Sequence, residues 1–262
     1  MKIQIINILI ACTYIFLFIP SFSQTNRKLL WSDEFNYTGF PDSNKWSYEE
    51  GFVRNQEPQY YTKQRKENVW VENGNLVITA KLENFKNSKY TSGSINTLYH
   101  ADWDHGRIEV RAKVPKGIGS WPAIWMMGVN FPEVKWPKCG EIDIMEFIGR
   151  DSNSVYGTVH YIKDSGKYEF IGKHPIVGKP YEGYHIYAVD WNKEKIKFYY
   201  DSLEYFVFDL KKADESTKKI FSQKFYLLLN LALGNEGTTL AGKLEERILP
   251  IRFYVDYVRV YE

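Results

Sequence analysis

The sequence predicts an all-β protein, built as a sandwich of two antiparallel sheets. Charged and apolar residues alternate at every position of residues 107–114, which is the pattern of a strand with one wet and one buried face. Further short strand patterns follow along the chain with turn residues between them, whereas helical patterns are scarce. Many short strands with few helices favour the packing of one sheet on another.

Further strands are predicted at residues 69–71, 76–79, 195–200, 204–208, 225–233 and 252–261. The first two flank Asn73-Gly74, and an Asn-Gly pair is a strong signal for a hairpin turn. The next two flank a second tight turn at Asp201-Ser202. Residues 225–233 are nearly all apolar, as expected for a strand that is buried on both faces. The best helical candidate, residues 210–220, is short and mostly polar.

The composition limits the classes of function. Hydrophobic residues make up 44% of the 262 residues, which is enough for a packed core, and no linker or repeat divides the chain. The 34 lysines and arginines are matched by 32 aspartates and glutamates, which excludes nucleic-acid binding through bulk charge. Aromatic residues make up 17%, and aromatic rings stack on the apolar faces of sugars as well as filling β-sheet cores.

The N-terminus has the pattern of a signal peptide. Lys2 supplies a positive charge, residues 3–19 are almost entirely apolar, and residues 21–23 offer the small side chains that a signal peptidase reads. We therefore expect residues 1–23 to be removed on export, leaving residues 24–262 as one domain without a membrane span. An uncleaved anchor is the alternative, because the apolar run is close to the ~17-residue lower limit for spanning a bilayer. Cleavage leaves Cys139 without a partner, so we expect a monomer without a disulfide.

Several common catalytic motifs are absent from the sequence. It contains no GxSxG elbow, no GxxxxGK[ST] loop, no HExxH helix and no GxGxxG after a strand. The five histidines, at positions 100, 105, 160, 174 and 185, do not have the spacing of metal ligands. We therefore expect no cofactor for catalysis.

The densest chemical signal is a cluster of acids at residues 140–147. In a regular strand Glu141 and Asp143 share one face, whereas Glu146 has the wrong parity. A β-bulge near Ile144-Met145 would bring Glu146 to the face of the other two acids. Acids that share a face repel one another, so at least one should hold its proton near neutral pH. Glycoside hydrolysis needs that combination of an ionised and a protonated carboxyl group.

The chain resembles glycoside hydrolase family 16, in its laminarinase and mixed-linkage β-glucanase branch. The residues that carry this resemblance lie in order at 31–35, 55–62, 106–109, 121–125, 140–146, 157–160 and 255–261. The resemblance implies a β-jelly-roll with a concave substrate cleft. It also implies that Glu141 is the nucleophile, Asp143 its assisting acid and Glu146 the general acid/base.

The resemblance implies further site residues as well. Asn55, Trp121, Trp125 and His160 match positions that line the glucan cleft in similar enzymes, and Trp103 and Trp136 are further candidate platforms for sugar rings. Several family members also bind a structural calcium, for which the matching positions here are Glu34, Gly74 and Asp256; oxygen ligands suit that ion. One departure concerns the cleft directly, because Arg54 stands where laminarinases commonly have a Gly-rich segment.

The expected function is a secreted, endo-acting, retaining β-glucanase that hydrolyses β-1,3-glucan, mixed β-1,3-1,4-glucan or both. Two alternatives stay open. One is a galactan hydrolase of the same family, of the agarase or carrageenase type. The other is a non-catalytic glucan-binding module, although the presence of both Glu141 and Glu146 favours an enzyme.

Overall fold

The computed structural model describes residues 27–237 and 239–262. The predicted signal peptide, residues 1–23, lies outside these residues, so its cleavage stays a prediction. Within the described part of the chain, no helix is long and apolar enough to cross a membrane.

Most of the described chain is β-strand. The strands of the N-terminal half are β1 (Leu29–Asp33), β2 (Ser47–Tyr48), β3 (Gln59–Tyr61), β4 (Val69–Glu72), β5 (Asn75–Phe85), β6 (Ser88–Ser92), β7 (Ser94–Asn96), β8 (Gly106–Lys113) and β9 (Ser120–Gly128). A short helix, α1 (Phe131–Val134), follows. The remaining elements are β10 (Glu141–Glu146), β11 (Tyr156–Ile162), β12 (Tyr168–Lys173), β13 (His185–Trp191), β14 (Lys195–Tyr200), β15 (Leu203–Asp209), α2 (Glu215–Ile220), β16 (Phe225–Leu233) and β17 (Ile251–Tyr261).

The strands form two sheets, as the sequence predicted. Within the described residues, the larger sheet has ten strands in the order β15-β14-β13-β8-β17-β5-β6-β3, with β1 beside β17 and β4 beside β5. The smaller has seven strands in the order β12-β11-β10-β9-β16-β7-β2. Pairing is antiparallel except between β3 and β6, which run parallel. The predicted sandwich of two sheets is confirmed, with this one parallel pair at the edge of the larger sheet in the described residues.

The core lies between the two sheets and is formed by apolar side chains that point inward from the strands. Ile108 and Val110 of β8 and Ile142 and Ile144 of β10 are fully buried in the same cluster. A second, smaller cluster on the outer face of the seven-stranded sheet includes Cys139. Cys139 is a free cysteine, and its side chain is buried.

The predicted hairpin turn at Asn73-Gly74 forms, whereas the predicted helix at residues 210–220 is divided into two pieces. Asn73 and Gly74 both have positive φ (52° and 72°), which a type I′ hairpin turn requires. The predicted helix at 210–220 forms in two pieces, a 3₁₀ turn at Leu210–Lys212 and then α2. Ala213 ends the first piece, and Asp214 begins the second, because its carboxylate accepts a hydrogen bond from the backbone N–H of Thr217 as an N-cap.

Candidate active site

The acid cluster lies on β10, in the middle of the seven-stranded sheet. Asp143 is opposite Trp125 of β9, but the next paired residue is Met145, so Ile144 has no partner across the ladder. The register with β11 shifts at the same place, between Asp143 and Glu146. This irregularity is the predicted β-bulge, and it brings Glu146 to the face that carries Glu141 and Asp143.

A glycine fixes where this strand begins. Gly140 has a φ of 74°, which side-chain-bearing residues rarely adopt. A Cβ added to it would lie 2.3 Å from Cγ2 of Ile220, on α2. Only glycine therefore lets the chain pass beneath α2 and enter β10 with Glu141 on the outer face.

The three acids line a cavity of about 560 Å³ on the outer face of the seven-stranded sheet. The sequence-predicted residues that line the same cavity are Asn55, Trp121, Trp125, Trp136 and His160. These residues differ in exposure to solvent: Trp136 is 45% exposed, whereas Trp125 is 5% exposed. The structure thus brings together residues from the loop before β3, from β9 and β11, and from the segment before β10.

Trp103 is not among the lining residues, and its predicted role as a sugar platform is wrong. The side chain is buried in the core between the sheets, with its ring 5.5 Å from that of Trp31 in an edge-on contact. Its backbone pairs with Phe225 of β16. The polar residues around Trp103 in the sequence favour an exposed side chain. The ring is buried instead because its backbone pairs with a strand that is distant in the sequence.

Burial governs the protonation of the acids. It raises the pKa of Glu141 well above its usual range, and the charge of Asp143 raises it further. The pKa of Asp143 is also raised well above its usual range, by burial and then by the charge of Glu146. Burial raises the pKa of Glu146 to about 7, although a hydrogen bond from Trp121 opposes that rise. The cluster therefore holds at least one proton near neutral pH, as the sequence predicted.

His160 of β11 and Trp121 of β9 contact the acids from the two strands that flank β10. Nε1 of Trp121 donates a hydrogen bond of 2.9 Å to Oε1 of Glu146. Nε2 of His160 lies 3.0 Å from Oδ2 of Asp143, a close contact that is off the line of a hydrogen bond. Nδ1 of His160 is 2.7 Å from the hydroxyl of Tyr168 on β12. Tyr168 also lines the cavity, and the sequence reasoning missed it.

Arg54 is a second residue of the cavity to which sequence reasoning gave no role. Its guanidinium pairs with Glu49 and lies 4.8 Å from the ring centroid of Trp125. Nη1 is buried and makes no hydrogen bond within the described residues. The positive charge lowers the pKa of Glu141 and so opposes part of the effect of burial. The departure from the Gly-rich pattern at position 54 was the available signal.

Glu57 and Asn230 belong to a polar network in the wall of the cavity, which was also not predicted. The carboxylate of Glu57 accepts hydrogen bonds from the side-chain amide of Asn55 and from the hydroxyl of Tyr61, both 3.1 Å long. The amide of Asn230 donates to that same hydroxyl (3.0 Å) and accepts from Nε1 of Trp125 (2.7 Å). Because these groups satisfy one another, they fix the loop before β3 against the floor of the cavity.

The residues predicted to bind calcium do not fit that ion as they are arranged. The carboxylate of Glu34 accepts two hydrogen bonds from Arg259, of 3.0 and 2.8 Å. Asp256 is paired with Arg111. Calcium sites draw on carboxylate charge, and both charges are here neutralised by guanidinium groups.

Within the part of the chain that the structure describes, one other group of donors is close enough to hold a metal ion. Ligand atoms of Glu141, Asp143 and His160 lie within 4.8 Å of one another. Hydrolysis of a glycosidic bond by a pair of carboxyl groups needs no metal, and two of these three groups belong to the acid cluster.

Comparison with known proteins decides the family. The model for "Glycosyl hydrolases family 16" matches residues 56–247, which include the bulged strand and most of the cavity lining. The chain belongs to this family. It is a glycoside hydrolase with the jelly-roll fold that the resemblance implied.

Two relatives and one solved structure illustrate the likeness. A β-glucanase of Rhodothermus marinus is 38% identical over 247 residues, which cover 89% of this chain and 85% of that protein. The crystal structure of a laminarinase from the same organism superposes with a TM-score of 0.81 at 38% identity, covering 90% of this chain and 97% of the other. A keratan-sulfate endo-1,4-β-galactosidase of Sphingobacterium multivorum is 32% identical over 91% of this chain and 56% of its own length.

Proposed function

We propose that this family 16 hydrolase cleaves internal β-1,3 bonds of laminarin or of mixed β-1,3-1,4-glucan, with net retention of configuration. The observation that carries the proposal is the bulge in β10, which places Glu141 and Glu146 on one face of the cavity. A non-catalytic glucan-binding module would have no need of two acids presented in this way. The likeness to a β-glucanase and to a laminarinase supports the substrate class.

The reaction has two steps. In the first, the carboxylate of Glu141 attacks the anomeric carbon while protonated Glu146 gives its proton to the leaving oxygen, so the glycosidic bond breaks as a glycosyl ester forms. In the second, ionised Glu146 takes a proton from water, whose oxygen displaces Glu141 from the same carbon. The raised pKa of Glu146, about 7, suits a group that must be protonated in one step and ionised in the next.

The other residues of the cavity act on these two groups. Trp121 holds Oε1 of Glu146 through its indole N–H, which fixes the proton donor beside the leaving oxygen. Asp143 lies between the two glutamates on β10 and assists Glu141, and His160 holds Asp143 from β11. The charge of Arg54 favours the ionised nucleophile. Trp121, Trp136 and Asn55 supply the aromatic and amide contacts that orient a sugar chain.

A galactan hydrolase is the second candidate, favoured by the 32% identity to the keratan-sulfate endo-1,4-β-galactosidase. A reducing-end assay with laminarin, lichenan, barley β-glucan, agarose, carrageenan and keratan sulfate separates the two. Fastest release from laminarin or a mixed-linkage glucan supports the proposal. Release from agarose, carrageenan or keratan sulfate alone replaces it with the second candidate.

The roles of the two glutamates are tested by substitution and rescue. Glu141→Gln and Glu146→Gln should each lower kcat by several orders of magnitude without unfolding the protein, whereas the control Glu169→Gln, on β12, should not. Azide should restore turnover of Glu146→Ala with a β-glycosyl azide and of Glu141→Ala with an α-glycosyl azide. A Glu141 or Glu146 variant that keeps about a tenth of the wild-type rate would refute the assignment.

We also propose that the protein acts outside the cytoplasm as a monomer. The support is the signal-peptide pattern of residues 1–23 and the lack of a second cysteine in the mature chain. N-terminal sequencing of the protein recovered from the secreting cell should begin at Gln24. Sedimentation of that protein should give the mass of one chain.

A further inference from the structure

Three aromatic side chains stand exposed at one end of the cavity. Phe170 and Tyr168 lie on β12, the edge strand of the seven-stranded sheet, and are 62% and 36% exposed. Trp136, in the segment before β10, is 45% exposed. Tyr168 and Trp136 line the cavity of the acids, and Phe170 lies just beyond its lining. We call these three residues the edge aromatics.

The strand register directs the edge aromatics toward the acids. Glu141 of β10 is opposite His160 of β11, and His160 is in turn opposite Phe170 of β12. Side chains directly opposite one another point to the same face of a sheet, so the three form a row across the strands. Strands are spaced about 4.8 Å apart, which puts Phe170 roughly 10 Å from Glu141 along the row. That distance is comparable with the length of a disaccharide.

The packing of the rings holds the edge aromatics in place. The imidazole of His160 is nearly parallel to the ring of Tyr168 (9°) and to that of Phe170 (22°), with centroids 6.0 and 5.7 Å away. The ring of Trp136 is tilted against that of Tyr168 at 5.1 Å. The hydrogen bond between Tyr168 and His160 adds a further constraint. Ordered rings lose little freedom when a ligand stacks on them, which favours binding.

We propose that the edge aromatics form a further sugar-binding subsite, which holds a pyranose ring of the same polysaccharide chain beyond the cleavage point. This inference rests on the proposed function. The subsite is continuous with the cavity of the acids, and its exposed rings suit the apolar face of a sugar. An exposed aromatic cluster on an edge strand otherwise carries a risk of aggregation, so its presence beside the cavity points to a ligand.

The chain offers a matched control on the same strand. Ile171 is 44% exposed, but it is opposite Val159, which faces the core, and therefore points away from the cavity. Phe170→Ala and Ile171→Ala each remove an exposed apolar side chain from adjacent positions of β12. A general effect on the edge strand would appear in both variants, whereas the loss of a sugar contact would appear only in Phe170→Ala.

The test measures kcat/KM for laminari-oligosaccharides from the trisaccharide to the heptasaccharide. We expect Phe170→Ala to lower kcat/KM roughly 3–10-fold for the longer chains through a higher KM, and to leave the trisaccharide unchanged. Ile171→Ala should match wild type throughout. Equal losses at every length, or no loss for Phe170→Ala, would overturn the subsite.

A binding measurement separates failure of this inference from failure of the proposed function. Native electrophoresis in gels containing laminarin, barley β-glucan or agarose measures polysaccharide binding as a loss of mobility, and it does so even when the protein does not cleave the polysaccharide. If the wild type cleaves none of the oligosaccharides, the proposed substrate class fails. The subsite is still supported if one gel retards wild type and Ile171→Ala more than Phe170→Ala. Equal mobility of the three proteins in every gel would overturn it.

Discussion

The indole N–H of Trp121 donates a 2.9 Å hydrogen bond to Oε1 of Glu146. The two residues lie on neighbouring strands, and the bulge in β10 is what turns Glu146 toward the indole. The bond favours the ionised carboxylate and so opposes burial, which raises the pKa of Glu146 to about 7. A single contact thus connects the backbone irregularity with the protonation of the proposed acid/base.

Trp121→Phe should move the alkaline limb of the pH profile of kcat/KM to higher pH by roughly one to two units. The first step needs protonated Glu146, and loss of a hydrogen bond to the ionised form, worth about 1.5–3 kcal/mol, raises its pKa. The profile of kcat/KM reports the pKa of the free enzyme. Trp125→Phe is the control, because Nε1 of Trp125 donates to Asn230 instead. A limb that stays in place in Trp121→Phe would contradict the role of this bond.

Glu146→Gln should be more stable than wild type at pH 8, by about 1–3 kcal/mol, and equally stable at pH 4. The folded-state pKa of Glu146, about 7, is above the ordinary value of 4.5, so the native state binds the proton more tightly. Wild type therefore loses this contribution as the pH rises from about 4.5 to 7, whereas the uncharged glutamine loses nothing. Chemical denaturation at the two pH values measures the difference.

Glu83→Gln is the control of opposite sign. Hydrogen bonds from Arg65 lower the pKa of Glu83 to about 2, so its charge stabilises the folded protein at neutral pH. The variant should be less stable than wild type at pH 8 by about 1–3 kcal/mol, and this deficit should shrink as the pH falls from about 4.5 toward 2. The same sign for both variants would refute the electrostatic explanation.

Arg54→Met should move the acid limb of kcat/KM to higher pH, and Arg54→Lys should move it less. The nucleophile must be ionised, and the charge of Arg54 lowers the pKa of Glu141. Loss of that charge also leaves Glu49 without its partner, so we expect a stability loss of about 1–3 kcal/mol in the methionine variant. Measurement of the pH profile at a temperature where both variants are folded separates the two effects. An unmoved acid limb in Arg54→Met would show that its charge does not act on Glu141.

Cys139 should resist thiol reagents in the native protein. The side chain is fully buried, and burial raises the pKa of its thiol to about 12, so the reactive thiolate is scarce at pH 8. We expect labelling by a disulfide reagent to be at least a hundredfold slower than that of free cysteine, on the order expected for a thiolate fraction this small. Denaturant should restore the rate of free cysteine. Fast labelling under native conditions would mean that the segment before β10 opens readily.

Local patterns were sufficient for much of the fold. The alternation at residues 107–114 became β8, and the apolar run at 225–233 became β16 with the same bounds. Both follow from physical rules that act over a few residues, namely the two-residue period of a strand and the need to bury apolar side chains. The parallel pairing of β3 with β6 was not predicted, because strand direction depends on the path of the chain between them.

The bulge in β10 shows why part of the site could also be predicted from the sequence. In a regular strand Glu141 and Asp143 point to one face and Glu146 to the other. One extra residue in the strand brings all three to the same face, and the register of β10 with its neighbours confirms this bulge. Trp103 shows the limit of the same reasoning. Its sequence neighbourhood is polar, yet the ring is buried against Trp31, because pairing with a strand more than a hundred residues later sets its direction.

The sequence by itself determined the all-β class, the bulged acid strand and the membership of family 16. Each of these depends on residues that are close in sequence or on motifs in a fixed order. Only the tertiary structure decided that Arg54 covers Trp125, that Tyr168 supports His160 and that Phe170 extends the row from Glu141. These contacts join residues on different strands and loops, and the physical reason is register. Hydrogen bonds between distant strands choose which side chains become neighbours, and no local pattern contains that choice.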